Sequence, residues 1–276
     1  MAKECSNTSC TKEDCSNCKS KQDGGIPKEE LNDFSKIGKV IGVVSGKGGV
    51  GKSFVTASLA NMMAKRGFRV GILDADITGP SIPKMYGIKG TAVADDNGIY
   101  PMLAANDIKV MSVNLLLPTE ETPVIWRGPV IANMVKQFWT DVIWGELDYL
   151  FVDMPPGTGD VPLTVFQSLP IDGVVIVTSP QDLVQMIVKK AYNMAEMMHV
   201  PVLGIVENYS YVKCPDCGSE LKIFGESHIE EIAKDLNVEL IGKMPIDMEY
   251  AKMADHGTFH EIDNQYISKA IDVMPR

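Results

Sequence analysis

From Lys39 onward the chain alternates short runs of Val, Ile and Leu with longer stretches whose apolar residues recur at helical spacing. "KVIGVVS", "RVGILD", "IKVMSV", "YLFVD", "GVVIVT" and "VLGIVEN" are near-continuous apolar runs bounded by turn residues, a pattern that predicts buried strands. Between them "KSFVTASLANMMAKRG" ends in basic residues and Gly67, as a helix should. "RGPVIANMVKQFWTDVIW" and "DLVQMIVKKAYNMAEMM" read as further helices. The alternation predicts an α/β fold, a doubly wound, mainly parallel sheet with ligands at the C-terminal ends of its strands. Two regions break the rhythm. Residues 1–36 are polar, cysteine-rich and weakly patterned, which predicts a flexible extension ahead of one domain over 37–276. After Asn208, "YSYVKCPDCGSELKIFG" reads as a short insertion at about 209–225 that carries a CxxC.

Composition narrows the classes. With 276 residues, 45% of them hydrophobic and 22% charged, the chain can bury a full core as an ordinary soluble protein. A net charge of -10 and the lack of a basic run argue against nucleic acid, whose binding draws on counterion release. "MAKECSNTSCTKEDC" has no apolar signal-peptide core, and no run of eighteen apolar residues occurs, so neither secretion nor a membrane partner is expected. A cytoplasmic protein is the expectation. In that reducing setting Cys5, Cys10, Cys15, Cys18, Cys214 and Cys217 point to metal or cluster ligation more than to disulfides.

"GKGGVGKS", Gly46 to Ser53, fits the phosphate-loop pattern G-x-x-x-x-G-K-[ST] and lies between a predicted strand and a predicted helix. Gly46, Gly48, Gly49, Val50 and Gly51 would bring backbone amides to the phosphates of ATP, helped by the helix N-terminus. Lys52 should reach the β- and γ-phosphates, and the Ser53 hydroxyl should hold Mg²⁺. Two carboxylate motifs end predicted strands: "ILDADITGPS" with Asp74 and Asp76, and "YLFVDMPPGTGD" with Asp153. A lone strand-end aspartate is often a helix cap, but beside a phosphate loop Asp153 sits where a carboxylate orders the Mg²⁺ shell. Pro155, Pro156 and Gly157 form a turn suited to sensing a γ-phosphate.

The loop carries a second lysine, Lys47, which by itself is either solvated or a phosphate contact. Its early position resembles the deviant phosphate loop of the MinD/ParA/nitrogenase-iron-protein class. That resemblance implies that Lys47 reaches a partner chain's nucleotide, that Asp76 positions or activates the attacking water while Asp74 organises the loop, and that Asn208 of "VENYS" hydrogen-bonds adenine. "GKGGVGKS", "DADITGPS", "VDMPPGTGD", "VENYS" and "CPDCG", in this order, resemble the Mrp/ApbC family of iron–sulfur cluster carrier ATPases over roughly residues 37–276. ParA and MinD relatives share the early motifs and lack the late CxxC. The family implies an ATP-hydrolysing homodimer that holds a [4Fe–4S] cluster and passes it to apo iron–sulfur proteins.

The cluster stoichiometry follows from ligand counting. One CxxC offers two thiolates, a [4Fe–4S] cluster needs four, and two chains about a symmetry axis supply them. Tetrahedral zinc fits the same thiolates, either between two chains or with two N-terminal cysteines. The N-terminal cysteines resemble the cluster-binding extension of the cytosolic scaffold branch. Their spacing here is C-x₄-C-x₄-C-x₂-C, whereas that branch separates its first two cysteines more widely; a second cluster or zinc are both open. The alternative of a MinD/ParA-like positioning ATPase would want a basic amphipathic C-terminal membrane helix or a DNA-binding surface, and "EIDNQYISKAIDVMPR" is neither.

Overall fold

The structure, a computed structural model, describes residues 28–77, 79, 81–117, 128–181 and 184–276. In chain order β1 (Lys36–Val44), α1 (Lys52–Ala64), β2 (Val70–Asp74) and α2 (Ile82–Met85) lead to the short strands β3 (Ala94–Asp95), β4 (Gly98–Ile99) and β5 (Met102–Leu103). Next come β6 (Lys109–Ser112), α3 (Gly128–Thr140), β7 (Glu146–Asp153), α4 (Asp160–Ser168), β8 (Gly173–Thr178), α5 (Val184–Met197) and β9 (Val202–Glu207). The chain closes with β10 (Val212–Lys213), β11 (Glu220–Leu221), α6 (Ile229–Asp235), β12 (Leu240–Lys243), α7 (Met248–His256) and α8 (Ala270–Val273).

Eight strands form one sheet in the order β12-β9-β8-β1-β7-β2-β6-β5. Every pairing is parallel except β5 with β6. This is the doubly wound sheet expected from the alternating pattern. The two edge strands, two-residue β5 and four-residue β12, carry too few apolar residues to stand out in the sequence. β8 is buried at all six positions, since helices cover both sheet faces and leave no polar side.

One face packs Val152, Leu150, Ile176 and Val174 against α3, α4 and α5 through Phe138, Phe166 and Val188. The other packs Ile41, Val43, Ile72 and Phe151 against α1 and the C-terminal segment. α1 is buried nearly all round because Phe259, Ile262, Ile267 and Ala270 close over it. Its buried polar groups find partners there: Asn61 donates to the Phe259 carbonyl at 2.7 Å, and Asn264 to Ser58 at 3.2 Å. The C-terminal segment is therefore core, in keeping with its unsuitability as a membrane anchor.

Two local readings differ from the structure. The helix expected through Trp144 ends at Thr140, because Val142 bridges to Ile99 and Trp144 turns inward, its indole donating to the Phe138 carbonyl. Residues 28–36 of the expected extension are held to the domain. Glu29 N donates to the Ser168 carbonyl at 2.9 Å, Trp139 Nε1 donates to the Glu29 carbonyl at 3.0 Å, and β1 already starts at Lys36. Cys5, Cys10, Cys15 and Cys18 lie outside the described residues.

Candidate functional site

β1 lies at the topological switch, with β8 on one side and β7 on the other, so the loop that follows it opens into the crevice where such sheets bind ligands. The loop enters α1 through Gly51, whose φ of 78° favours glycine. A Cβ there would also stand 2.1 Å from Asn208 Nδ2, so two independent constraints exclude a side chain. The Gly157 amide donates to the Ser45 carbonyl at 2.8 Å and ties the Pro155–Gly157 turn to the loop. Ser45, Gly48, Gly49, Lys52, Ser53 and Asp76 line a cavity of about 360 Å³. Among the described residues Ser45 Oγ is buried there without a hydrogen-bond partner, which is a costly state that an oxygen-rich ligand would relieve.

Sheet register brings the carboxylates together. Asp74 ends β2 opposite Asp153 of β7, and Asp153 lies opposite Val43 of β1. Both aspartates are fully buried. Asp153 accepts from Lys52 Nζ at 2.7 Å, Ser53 Oγ at 2.5 Å and Thr56 Oγ1 at 2.8 Å. Lys52, 6% exposed, is also 3.7 Å from Asp76 and thus the cation that compensates this acidic floor. Asp74 accepts from the Asp76 amide at 3.2 Å, the Ile82 amide at 3.4 Å and Ser112 Oγ at 3.3 Å. Burial, reinforced by the negative charge of Asp153, pushes its carboxyl well above the usual carboxylate range, against the pull of Lys52. That shift toward the protonated form eases the repulsion between two aspartates that stand side by side with one lysine.

Lys47 is held apart from this cluster. Its ammonium donates to Gln181 Oε1, in the loop after β8, on the exposed side of the phosphate loop. Asn208 is buried; its Nδ2 donates to the Val50 carbonyl at 3.0 Å and its Oδ1 accepts from the Tyr209 amide at 3.0 Å. It braces the loop from below, and Tyr209 lines the cavity.

Cys214 and Cys217 occupy the tip of the antiparallel hairpin β10–β11. The Cys214 amide donates to the Ser219 carbonyl and the Gly218 amide to the Cys214 carbonyl, both at 2.9 Å, which folds the tip into a tight knuckle. Gly218, at φ 73°, completes it. Cys217 Sγ lies 3.1 Å from Ser219 Oγ. Hydrogen bonds from the Ser219 side chain and backbone, then from Cys214, lower the Cys217 thiol below its usual value and favour the ligating thiolate. Leu221, Ile223 and Phe224 stay exposed beside it. Among the described residues no group of three or more His, Cys, Asp or Glu could hold a metal, so this pair has no third ligand of its own chain there.

Sequence reading missed three residues at these sites. Thr56 was findable, since it falls one helical turn after Lys52 and so shares its face. Gln181 had no local signal, its partner lying 134 residues away, and Glu207 is clasped by Ser210 three residues on and by Ser227 twenty residues on.

The chain is 49% identical over 226 residues to the iron-sulfur cluster carrier protein of Methanocaldococcus jannaschii, spanning 81% of this chain and 78% of that protein. It is 46% identical over 265 residues to the iron-sulfur cluster carrier protein of Clostridium perfringens, spanning 92% and 93%. The fold matches a nucleotide-binding protein from Archaeoglobus fulgidus in complex with ADP, with a TM-score of 0.76, 47% identity and coverage of 84% of this chain and 91% of that one. The MinD cell division protein of Aquifex aeolicus, at 21% identity and a TM-score of 0.58 over 85% and 94% of the chains, shares the fold. With the model of the NUBPL iron-transfer P-loop NTPases matching residues 36–274, this chain belongs to that family.

Proposed function

We propose that the protein is an ATP-hydrolysing homodimer that holds a [4Fe–4S] cluster between the Cys214/Cys217 pairs of two chains and passes it to apo iron–sulfur proteins. The observation that carries this is the pairing of a buried phosphate-loop site with a surface two-thiolate knuckle that finds no third ligand among the described residues. Iron-sulfur cluster carrier proteins among its relatives support the cargo, and an ADP-bound relative supports the nucleotide.

The residues divide the work. Amides of the Gly46–Ser53 loop and the unpartnered Ser45 hydroxyl receive phosphate oxygens. Lys52, poised between Asp153 and Asp76, turns toward the β- and γ-phosphates as the ligand brings charge of its own. Ser53 Oγ and Asp153 Oδ2, 2.5 Å apart, present adjacent hard oxygens that suit Mg²⁺. Bound there, Mg²⁺ would neutralise charge on the phosphates. Asp76, at the edge of the cavity, orients the attacking water. Lys47 leaves Gln181 and supplies charge to the partner's nucleotide, which makes hydrolysis conditional on dimerisation. Asn208 holds the loop and flanks the base of the nucleotide.

The cluster is cargo, and its ligands are chosen for release: one thiol of the pair is exposed and its hairpin is small. The N-terminal cysteines are a separate site for a second cluster or zinc. The test is anaerobic reconstitution of the full chain and of a chain lacking residues 1–27, with iron, sulfide, zinc and mass in solution measured. The expected result is one bridging cluster per dimer in both. A full cluster on a truncated monomer would overturn the bridge, and stoichiometric zinc without iron uptake would overturn the carrier role.

A further inference from the structure

Glu207 ends β9, is fully buried, and has no part in the nucleotide chemistry described above. A carboxylate in that position has to be met by donors. Its two oxygens take hydroxyls from opposite ends of the cysteine hairpin: Ser210 Oγ donates to Oε1 at 2.6 Å, and Ser227 Oγ to Oε2. Everything between those serines is the hairpin, with Cys214 and Cys217 at its tip. Ser227 Oγ also accepts from the Ile229 amide at 3.2 Å, where α6 begins, and the Ser210 amide donates to the Met244 carbonyl at 2.8 Å. One carboxylate thus closes the base of the hairpin against the domain.

The next two residues face the other way. Asn208 holds the Val50 carbonyl of the phosphate loop, and Tyr209, at φ 61°, lines the cavity above it. Three consecutive residues therefore touch the nucleotide loop on one side and both ends of the cysteine hairpin on the other. Beside them a cavity of about 280 Å³, lined by Pro180, Gln181, Glu207, Phe224, Ser227 and His228, separates the loop that carries Lys47's partner from the hairpin base. The hairpin has room to shift there, and its only side-chain tether in that wall is the Glu207 clasp among the described contacts.

We propose that Glu207 is a positioning residue that couples the nucleotide loop to the Cys214/Cys217 hairpin, through Asn208 on one side and the Ser210 and Ser227 hydroxyls on the other. A ligand that draws the Val50–Gly51 backbone toward itself moves Asn208, and the clasp passes that movement to the knuckle. The coupling rests on the nucleotide half of the function proposed above and is independent of the cargo.

The experiment uses the reduced, metal-free full chain and reads iodoacetamide alkylation of Cys214 and Cys217 by peptide-resolved mass spectrometry, with and without Mg²⁺ and ADP. ADP affinity is measured separately by calorimetry. In the unmodified protein ADP should change the Cys217 rate by about five-fold, the low end of ordinary coupling between sites. Ser227→Ala should keep ADP affinity and lose the ADP effect, Ser227→Thr should restore it, and Glu207→Gln should weaken it. A merely structural clasp would alter the basal rate in Ser227→Ala and leave the ADP response intact, which would overturn the proposal. ADP binding without any response in the unmodified protein would overturn it too. Failure to bind ADP would overturn the nucleotide reading along with it, whereas intact coupling in a protein that takes up no iron would support this inference and remove the carrier role alone.

Discussion

The phosphate-loop site and the cysteine knuckle are built on opposite principles. The first is buried, fixed by the ends of three central strands, and balanced in charge: Lys52 meets Asp153 and Asp76, while burial and the charge of Asp153 raise the Asp74 carboxyl well above its usual range. The second stands on a hairpin of two-residue strands, with exposed apolar neighbours and half the ligands a tetrahedral cluster site requires. A site for repeated chemistry gains from preorganisation, since the groups need not be rearranged at each turnover. If the second site releases a cargo, as proposed above, having two ligands rather than four among the described residues favours that release.

The largest effect should separate the two lysines. Lys47→Ala should slow single-turnover hydrolysis by about 10³-fold, the scale of a charge supplied in trans, while nucleotide affinity changes little. Lys52→Ala should lose affinity first. Normal hydrolysis in Lys47→Ala would remove the trans role and leave its contact with Gln181 as a surface feature.

Stability should distinguish the sites next. Lys52→Ala leaves buried Asp153 without its cation and should cost about 3–5 kcal/mol in urea unfolding of the nucleotide-free protein. Replacing both Cys214 and Cys217 by alanine should change stability by less than about 0.5 kcal/mol, because Cys217 is exposed and the hairpin adds little to the core. Equal losses would mean that the knuckle is part of the fold's support.

Within the buried site, Asp76→Asn should hydrolyse ATP about 10²-fold more slowly with an unchanged Mg²⁺ titration. Asp153→Ala should instead shift that titration to higher Mg²⁺. Indistinguishable titrations would show that the division between the two carboxylates is wrong.

The smallest effect concerns the proton on Asp74. The native carboxyl keeps its proton above the pH at which the unfolded one, near 3.9, has lost it. The folded state then binds more protons than the unfolded state, so this group makes stability fall as pH rises from about 4 toward the native value. Asp74→Asn, which mimics the protonated acid, should flatten that slope. Melting curves across pH 4–8 would show it, and parallel slopes for the two proteins would mean that Asp74 is ionised.

Much of the molecule was readable from local pattern. The buried strands read as unbroken Val and Ile runs, "GVVIVT" matching β8 residue for residue, and the phosphate loop is contiguous, so one stretch contains the geometry of its own site. α3 was overextended because Val142, Ile143 and Trp144 continue an apolar period, and only the bridge of Val142 to Ile99 and the Trp144 indole contact end the helix. The attachment of residues 28–36 to the domain was hidden because Glu29 and Lys136 pair across 107 residues.

What the sequence determined by itself, then, is whatever depends on neighbours along the chain: strand and helix periods, the loop's glycines and lysines, the two-residue spacing of the cysteines. Tertiary structure alone decided which charges meet. Asp74 and Asp153 stand 79 residues apart and become adjacent through parallel register, and burial together with that adjacency raises the Asp74 carboxyl. It also decided that Glu207, one of 36 acidic residues with nothing local to mark it, would be buried between Ser210 and Ser227. Burial and through-space charge set these properties, and neither is a function of distance along the chain.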